Sequence, residues 1–354
     1  MKKTLYKGEI PVFFAVDYKY APMLGVTLKS MLQNASKDYF YKVYVLTTNL
    51  ADDLKEKVHA STDAQNASIE FISLKEKLDA YSNMFHLRDY YSQETYFRLF
   101  IASLYPEYDK VLYLDSDLLI LYDISKMYNT ELGDNLLGAA VEETVLTINE
   151  FGEYVEKALG VKRENYFNAG IILINAKKFR EEKIQEKFVK LLNRFPFRIA
   201  QDQDYLNVLC KDRVVPFDLG WNKTSFENPA FDDKDLKIVH YKMMWRPWKY
   251  DGITYGDIFW DYADQTPFAQ TLRKMKETYS DEEKAKDKVL IGNMMKMCVN
   301  EAHDFNNYWN TIRRERIGAG ILEFFGTAVT SARALAKKAA SSSVKNVKAL
   351  LRLA

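Results

Sequence analysis

VLYLDSDLLI, residues 111–120, joins an apolar strand to two carboxylates, Asp115 and Asp117, at the point where the strand ends. Side chains at positions i and i+2 of extended backbone point to the same side, so this spacing brings the two carboxylates together. Uncompensated carboxylates beside a buried strand are costly, and either a hard divalent cation bound through oxygen or a tight salt-bridge network would offset that cost, of which we favour the cation. The stretch therefore predicts a metal site at the end of a buried strand.

Strand-like runs and helical patterns alternate on both sides of this stretch. The runs are IPVFFAV at 10–16, YKVYVLT at 41–47, SIEFISL at 68–74, LLGAAVE at 136–142, GIILIN at 170–175 and KIVHY at 237–241, and helices are predicted from about Pro22 and over residues 51–60. This rhythm predicts an α/β fold with a mixed, mostly parallel sheet. Ligands of such sheets bind beyond the carboxyl ends of the strands.

Polar residues close several of these runs and are candidate site residues. They are Asp17, Glu142 and His240, in addition to the acidic pair. His240 is the natural third metal ligand, because its strand is predicted to end at the same edge. The WRPW that follows adds Arg246 as a phosphate-binding group. Carboxylates, imidazole and phosphate together suit Mn²⁺ better than Mg²⁺.

The Asp-x-Asp spacing occurs twice more, at residues 202 and 204 and at residues 233 and 235. The pair at 233 and 235 lies in the charged run FDDKDLK, which predicts a solvated loop. Spacing alone is therefore weak evidence, and the apolar strand before Asp115 is what favours a metal there.

Charge is distributed unevenly along the chain. From Arg313 onward there are nine Lys or Arg against two Glu, a net charge of +7, so the remainder of this +1 chain carries −6. Apolar residues of the same segment, among them Ile321, Phe325 and Leu335, recur on one helical face. We predict a catalytic domain over residues 1–260, a helical extension over 261–316, and a basic amphipathic helix over 317–354 that binds an anionic membrane surface. Packing of that helix on the catalytic domain or on a partner helix is the alternative.

Cysteine content and hydropathy bear on the compartment. The cysteines Cys210 and Cys298 cannot build a disulfide framework or a Cys-based zinc site. The apolar run near the N-terminus has only five residues before Asp17, too short for a signal peptide, and no stretch has the roughly 18 to 20 apolar residues of a membrane span. We expect a cytoplasmic protein, peripherally associated with the inner face of the membrane.

Several stretches together resemble glycosyltransferase family 8, the retaining enzymes that include bacterial lipooligosaccharide galactosyltransferases and glycogenin. They are FFAVDYKYAPMLGVTLKSML, SQETYFRLFIASLYPEYDKVLYLDSDLLI, LLGAAVE, YFNAGIILIN, QDQDYLN and HYKMMWRPW, in the family's order, over roughly residues 10–250. The resemblance implies a GT-A fold, a UDP-sugar donor, a glycan or lipid-linked acceptor, and a Mn²⁺ cofactor with Mg²⁺ as the alternative. It implies no nucleic-acid partner and leaves oligomerisation open.

The resemblance also implies a role for each matching residue. The residues that resemble the metal ligands are Asp115, Asp117 and His240. Those that resemble the nucleoside contacts are Ala15 and Asp17 for uridine and Ser116 for ribose. Arg98 resembles an arginine that contacts the donor sugar, and the residues that resemble the sugar-binding group are Asn168, Asp202 and Gln203. Gln203 would face the anomeric carbon. Glu142 and Arg246 complete the predicted donor contacts.

Three positions depart from the family pattern. Met243 stands where glycine is common, Arg246 replaces lysine, and Glu142 replaces aspartate. Arginine retains the charge and can contact a diphosphate in bidentate geometry. Glu142 is expected to alter contacts to the sugar or the acceptor.

Retention of configuration can arise in two ways. Either an enzyme nucleophile attacks first and two inversions follow, or the acceptor attacks the donor sugar on the same face from which the leaving group departs. The neutral amide of Gln203 is a poor nucleophile. We therefore predict front-face attack, with a diphosphate oxygen taking the acceptor proton, and keep Asp202 as the alternative nucleophile or as a sugar anchor.

Other classes of protein fit the sequence less well. A dinucleotide-dependent oxidoreductase needs a glycine-rich turn after the first strand, and AVDYKYAPMLG lacks one. An inactive UDP-sugar-binding or scaffolding protein and a self-glycosylating, glycogenin-like enzyme remain as alternatives. The choice between glucose and galactose depends on one hydroxyl group and is left open.

Overall fold

The computed structural model describes residues 6–74 and 93–318, and every structural statement below refers to those ranges. The chain divides into two compact units, Met1–Ala302 and His303–Ala354. In the second unit, residues 308–318 are helical, and the Arg314 guanidinium lies 4.1 Å from the centre of the Phe305 ring. The amphipathic helix predicted over residues 317–354 lies outside the described residues, apart from positions 317 and 318.

The first unit contains ten described strands. They are β1 (Gly8–Ala15), β2 (Tyr39–Thr47), β3 (Ala67–Ser73), β4 (Val111–Leu114), β5 (Leu118–Ile120), β6 (Leu137–Val141), β7 (Phe167–Ile174), β8 (Val214–Phe217), β9 (Lys223–Thr224) and β10 (Ile238–His240). Seven of them form a sheet in the order β3-β2-β1-β4-β7-β6-β8. Strand β7 is antiparallel to both of its neighbours, and the other pairs are parallel. The mixed, mostly parallel sheet is thus confirmed.

Helices cover the sheet and extend beyond it. They are α1 (Ala21–Asn34), α2 (Asp52–His59), α3 (Ile101–Leu104), α4 (Ser125–Tyr128), α5 (Glu143–Thr147), α6 (Asn149–Lys157), α7 (Ala176–Glu181), α8 (Ile184–Arg194), α9 (Asp202–Leu209), α10 (Gly256–Ala263), α11 (Ala269–Glu277) and α12 (Asp281–His303). Short 3-10 helices lie at Gln93–Leu99, Arg163–Asn165, Leu219–Asn222 and Asp233–Asp235. No helix among the described residues is long and apolar enough to cross a bilayer.

Helix α1 supports the segment that carries the acidic pair. Its residues from Ala21 to Leu28 are buried, because the helix lies over the sheet. The Thr27 hydroxyl lies 2.8 Å from the carbonyl oxygens of Ser116 and Leu118, and the Ser30 hydroxyl accepts from the Ile120 N–H at 3.0 Å. These two hydroxyls therefore fix the backbone on both sides of Asp117.

Strand β10 belongs to a second, three-stranded sheet in the order β5-β10-β9. The sequence-based expectation that His240 ends a strand at the same edge as the acidic pair needs correction in this respect. Strand β10 runs antiparallel to β5, with His240 opposite Leu118, and the Tyr241 N–H donates to the Asp117 carbonyl at 3.0 Å. His240 thus reaches the acidic pair from the side, because β5 follows directly after Asp117.

Candidate active site

Asp115, Asp117 and His240 converge as the metal prediction requires. One ligand atom from each lies within 4.8 Å of the others. His240 Nε2 is 3.3 Å from Asp117 Oδ1 and 3.8 Å from Asp115 Oδ2. Two carboxylates and one imidazole form a donor set that suits a divalent cation with some affinity for nitrogen.

The orientation of the His240 ring follows from Asn222, which the sequence analysis did not identify. Asn222 Nδ2 donates to Asn168 Oδ1 at 2.8 Å, so Asn222 Oδ1 faces His240 Nδ1 at 2.9 Å. That oxygen can only accept, so Nδ1 donates a proton to it and Nε2 faces the acidic pair. A metal-ligating histidine is commonly held in this way through its second nitrogen.

The space beside these ligands depends on Gly170. A Cβ atom at this position would lie 2.4 Å from Asp115 Oδ2 and 2.6 Å from His240 Cε1. The Gly170 carbonyl also accepts from the Asp115 N–H at 2.7 Å. Strand β7 therefore approaches the ligands as closely as only glycine allows, and the residues present fit a metal ion.

Positive charge balances the acidic residues. Burial alone would raise the pKa of Asp117, but its hydrogen bond to His240 and the charges of His240 and Arg246 lower that pKa below its ordinary value. Arg246 is buried and lines the same cavity. Arg246 therefore contributes positive charge to the cavity near Asp117.

Arg98 bridges two of the predicted site residues. Its Nη2 atom is 3.0 Å from Asp115 Oδ1, its Nε atom is 2.9 Å from Asp202 Oδ2, and its Cζ atom is 4.3 Å from the centre of the Tyr113 ring. Burial raises the pKa of Asp202 to about 7, although the Arg98 guanidinium acts in the opposite direction. Arg98 is therefore the main charge compensation for two carboxylates of the site.

Glu142 is the centre of a second polar cluster. Its carboxylate accepts from the Thr144 N–H at 3.0 Å, from the Thr144 hydroxyl at 2.8 Å and from Asn168 Nδ2 at 2.6 Å, and it pairs with the Lys242 ammonium. Burial would raise the pKa of Glu142, but Lys242 and these hydrogen bonds lower it to about 2. Glu142 is thus charged at neutral pH and fixes Asn168 and the start of α5.

Ala15, Asp17 and Ser116, which the sequence analysis assigned to the nucleoside, line the same cavity. Asp17 Oδ1 accepts from the N–H groups of Lys19 and Tyr20 at 2.9 and 3.0 Å, which forms the turn before α1. Burial raises the pKa of Asp17 above its ordinary value. Asp17 thus presents a partly buried carboxylate to the cavity.

All the predicted site residues line one cavity. They are Ala15, Asp17, Arg98, Asp115, Ser116, Asp117, Glu142, Asn168, Asp202, Gln203, His240 and Arg246. The cavity is also lined by Lys242, Glu94 and Tyr166, which the sequence analysis did not assign. Lys242 lies within the quoted stretch HYKMMWRPW, so its charge next to His240 was the available signal.

Met243 adopts a backbone conformation that explains the glycine of the family pattern. Its φ is +54°, in the left-handed region that side chains other than glycine rarely adopt. The residue lines the cavity between Lys242 and Arg246. The chain therefore keeps the turn at this position despite the methionine.

Comparison with known proteins identifies the class of protein that this fold and site define. The model of glycosyl transferase family 8 matches residues 11–252. The chain belongs to this family.

Two solved structures and one curated relative illustrate the similarity. The bifunctional glycosyltransferase WbbM superposes with a TM-score of 0.68 at 25% identity, over 77% of this chain and 53% of WbbM. The galactosyltransferase LgtC, solved with donor and acceptor sugar analogues, superposes with a TM-score of 0.58 at 27% identity, over 73% of this chain and 96% of LgtC. The lipopolysaccharide glucosyltransferase WaaO of Escherichia coli is 29% identical over 191 residues, 49% of this chain and 52% of WaaO.

The chain thus spans about half the length of WbbM and of WaaO. The GT-A fold is confirmed.

Proposed function

We propose that this chain is a metal-dependent, retaining hexosyltransferase that uses a UDP-sugar donor. The observation that carries the proposal is the convergence of Asp115, Asp117 and His240 in the cavity that also contains Arg246 and Gln203. A transferase of this kind needs charge stabilisation for the leaving diphosphate and a polar group near the anomeric carbon. Arg246 and Gln203, which line the cavity, are the groups that support these two roles.

The metal would be held by the two carboxylates and by Nε2 of His240. When bound, it would neutralise charge on the departing diphosphate. The imidazole ligand favours Mn²⁺ over Mg²⁺. Arg246 would contribute bidentate hydrogen bonds to the same diphosphate, and Lys242 a further positive charge.

The donor would lie with its uridine at Ala15, Asp17 and Ser116 and its sugar beside Arg98, Asn168, Asp202 and Gln203. Asp202 is buried and ion-paired with Arg98, so it is better suited to anchor a sugar hydroxyl than to attack carbon. Gln203 carries a neutral amide. We therefore favour front-face attack, in which a donor phosphate oxygen takes the proton of the acceptor hydroxyl.

The donor sugar is glucose or galactose, and the acceptor is a glycan or a lipid-linked glycan. WaaO is by name a glucosyltransferase of lipopolysaccharide and LgtC a galactosyltransferase, so relatives of similar identity differ in their sugar. A catalytically inactive UDP-sugar-binding protein and a self-glycosylating enzyme remain the alternatives, and the measurements below separate them.

Product analysis tests the transferase proposal. The full chain is incubated with Mn²⁺, a panel of UDP-hexoses and a glycan acceptor, and the anomeric proton of the product is observed by NMR. We expect α-linked product from UDP-glucose or UDP-galactose, because front-face attack retains the donor configuration. A β-linked product would contradict the retaining assignment, and a mass increase of the chain itself would favour self-glycosylation.

We further propose that the basic segment after Arg316 attaches the protein peripherally to the cytoplasmic face of the membrane. The segment combines apolar residues at helical spacing with six Lys or Arg, and such helices bind anionic headgroups with roughly 1 kcal/mol per basic residue. We expect the full chain to sediment with anionic liposomes at low salt and a chain truncated after Arg316 to stay in the supernatant. Equal sedimentation of both would exclude this role and favour packing of the segment on protein.

A further inference from the structure

A buried carboxylate, Asp204, lies behind the cavity and has no role in the account above. The Tyr166 hydroxyl donates to Asp204 Oδ1 at 2.6 Å, and the Tyr154 hydroxyl donates to Oδ2 at 2.8 Å. The Ala200 N–H also donates to Oδ2, at 2.9 Å. Three donors therefore compensate the charge of Asp204 inside the protein.

The proton of Tyr166 determines what its oxygen can offer on the other side. A tyrosine hydroxyl has one proton, and Tyr166 gives it to Asp204, so its oxygen can only accept from any further partner. That partner is Gln203, whose Nε2 donates to the Tyr166 oxygen at 3.2 Å. On the opposite side, the Ala169 N–H donates to Gln203 Oε1 at 2.9 Å.

These two contacts allow only one orientation of the Gln203 amide. The Ala169 N–H requires the amide oxygen and the Tyr166 oxygen requires the amide nitrogen, so exchange of the two ends would leave both contacts unsatisfied. One N–H and one lone pair of the amide remain to face the cavity. A catalytic amide gains rate only when its orientation is fixed before the reaction.

We propose that Tyr166, with its hydroxyl proton held by Asp204, is a positioning residue that fixes the Gln203 amide toward the donor sugar. This inference deepens the proposed function and rests on it. Asp204 is buried behind the cavity, and Tyr166 is a buried residue of its lining. Both act through Gln203, which also lines the cavity.

The test compares two tyrosines that share one carboxylate. Tyr166→Phe removes the hydroxyl that contacts Gln203, whereas Tyr154→Phe removes the other hydroxyl and leaves that contact intact. For UDP-sugar hydrolysis with Mn²⁺, we expect kcat of Tyr166→Phe to fall about tenfold with KM within about twofold, since a misplaced group costs rate rather than affinity. We expect Tyr154→Phe to keep kcat within about twofold of the wild type. An equal loss of kcat in both variants would overturn the proposal.

Asp204→Asn provides a second variant that keeps both hydroxyls. The Ala200 N–H requires the new amide oxygen at the position of Oδ2, which places the Asn nitrogen against Tyr166. The Tyr166 oxygen must then accept a hydrogen bond from the Asn nitrogen. The Tyr166 proton can point toward Gln203 Nε2, which is itself a donor, so the hydrogen bond between them is lost. We expect the same tenfold loss of kcat as in Tyr166→Phe, and wild-type kcat would contradict the proposal.

Two further readouts separate positioning from loss of stability. In the Gln203→Ala background, Tyr166→Phe should have no additional effect on kcat, because the amide it acts through is gone. The side-chain amide resonance of Gln203 in ¹⁵N-labelled protein, assigned by its loss in Gln203→Ala, should show faster hydrogen exchange in Tyr166→Phe than in Tyr154→Phe. This NMR measurement decides the inference even if the wild type releases no UDP, an outcome that would reject only the proposed function.

Discussion

Asp117→Asn should lower the transferase activity by at least about a hundredfold and leave the fold intact, since loss of a charged metal ligand commonly removes several kcal/mol of transition-state stabilisation. Asp117 Oδ1 is 3.3 Å from His240 Nε2, so the substitution removes charge from the centre of the proposed metal site. Initial rates of UDP release at saturating Mn²⁺, with thermal unfolding to verify the fold, measure the effect.

Asp235→Asn is the matched control for this variant. Asp235 belongs to an Asp-x-Asp pair of the same spacing, but its pair is exposed in the 3-10 turn Asp233–Asp235. We expect its activity to equal that of the wild type. A comparable loss of transferase activity in Asp117→Asn and Asp235→Asn would contradict the role of Asp117 as a metal ligand.

Arg98→Met should reduce the free energy of unfolding by about 3–5 kcal/mol, because it leaves the buried Asp202 and the partly exposed Asp115 without their counter-charge. Arg98 and Asp202 are each about 95% buried, with side-chain exposures of 5% and 4%. Urea denaturation followed by circular dichroism measures the loss. Adding Asp202→Asn to Arg98→Met should restore part of the stability, since it removes one of the uncompensated charges.

Arg273→Met is the control for the arginine substitution. Arg273 makes a bidentate ion pair with Asp264, but the two side chains are 52% and 47% exposed. Exposed pairs contribute about 0–1 kcal/mol, so we expect a change within that range. A loss as small as this in Arg98→Met would contradict the role of Arg98 as charge compensation.

The parts of the fold and site that the sequence predicted are those with a local signal. Buried strands appear as short apolar runs, and the residues that close them, such as Asp115 and Glu142, fall at their ends because the crevice of an α/β sheet lies there. The solvated loop predicted around residues 233–235 is likewise confirmed, because its charges favour exposure. Family resemblance then added residues without a clear local pattern, such as Arg98 and Gln203.

The parts that the sequence did not predict depend on contacts between distant residues. His240 was expected at the edge of the main sheet, yet it reaches Asp117 through an antiparallel strand pair in a second sheet. Asn222 fixes the tautomer of His240 from a separate 3-10 turn, 18 residues away in sequence. Tyr166 and Asp204 contact each other across 38 residues. No pattern of spacing identifies such pairs, because each depends on how the strands are ordered.

The most direct measurement of the central claim is the release of UDP from UDP-glucose and UDP-galactose by the full chain, with Mn²⁺ and with excess EDTA. The metal site formed by Asp115, Asp117 and His240 predicts release from at least one of the two donors with Mn²⁺, a lower rate with Mg²⁺, and none above the Asp117→Asn background in EDTA. Release that continues at the full rate in EDTA would contradict the metal-dependent mechanism, and no release from either donor with Mn²⁺ would contradict the assignment as a glucosyl- or galactosyltransferase.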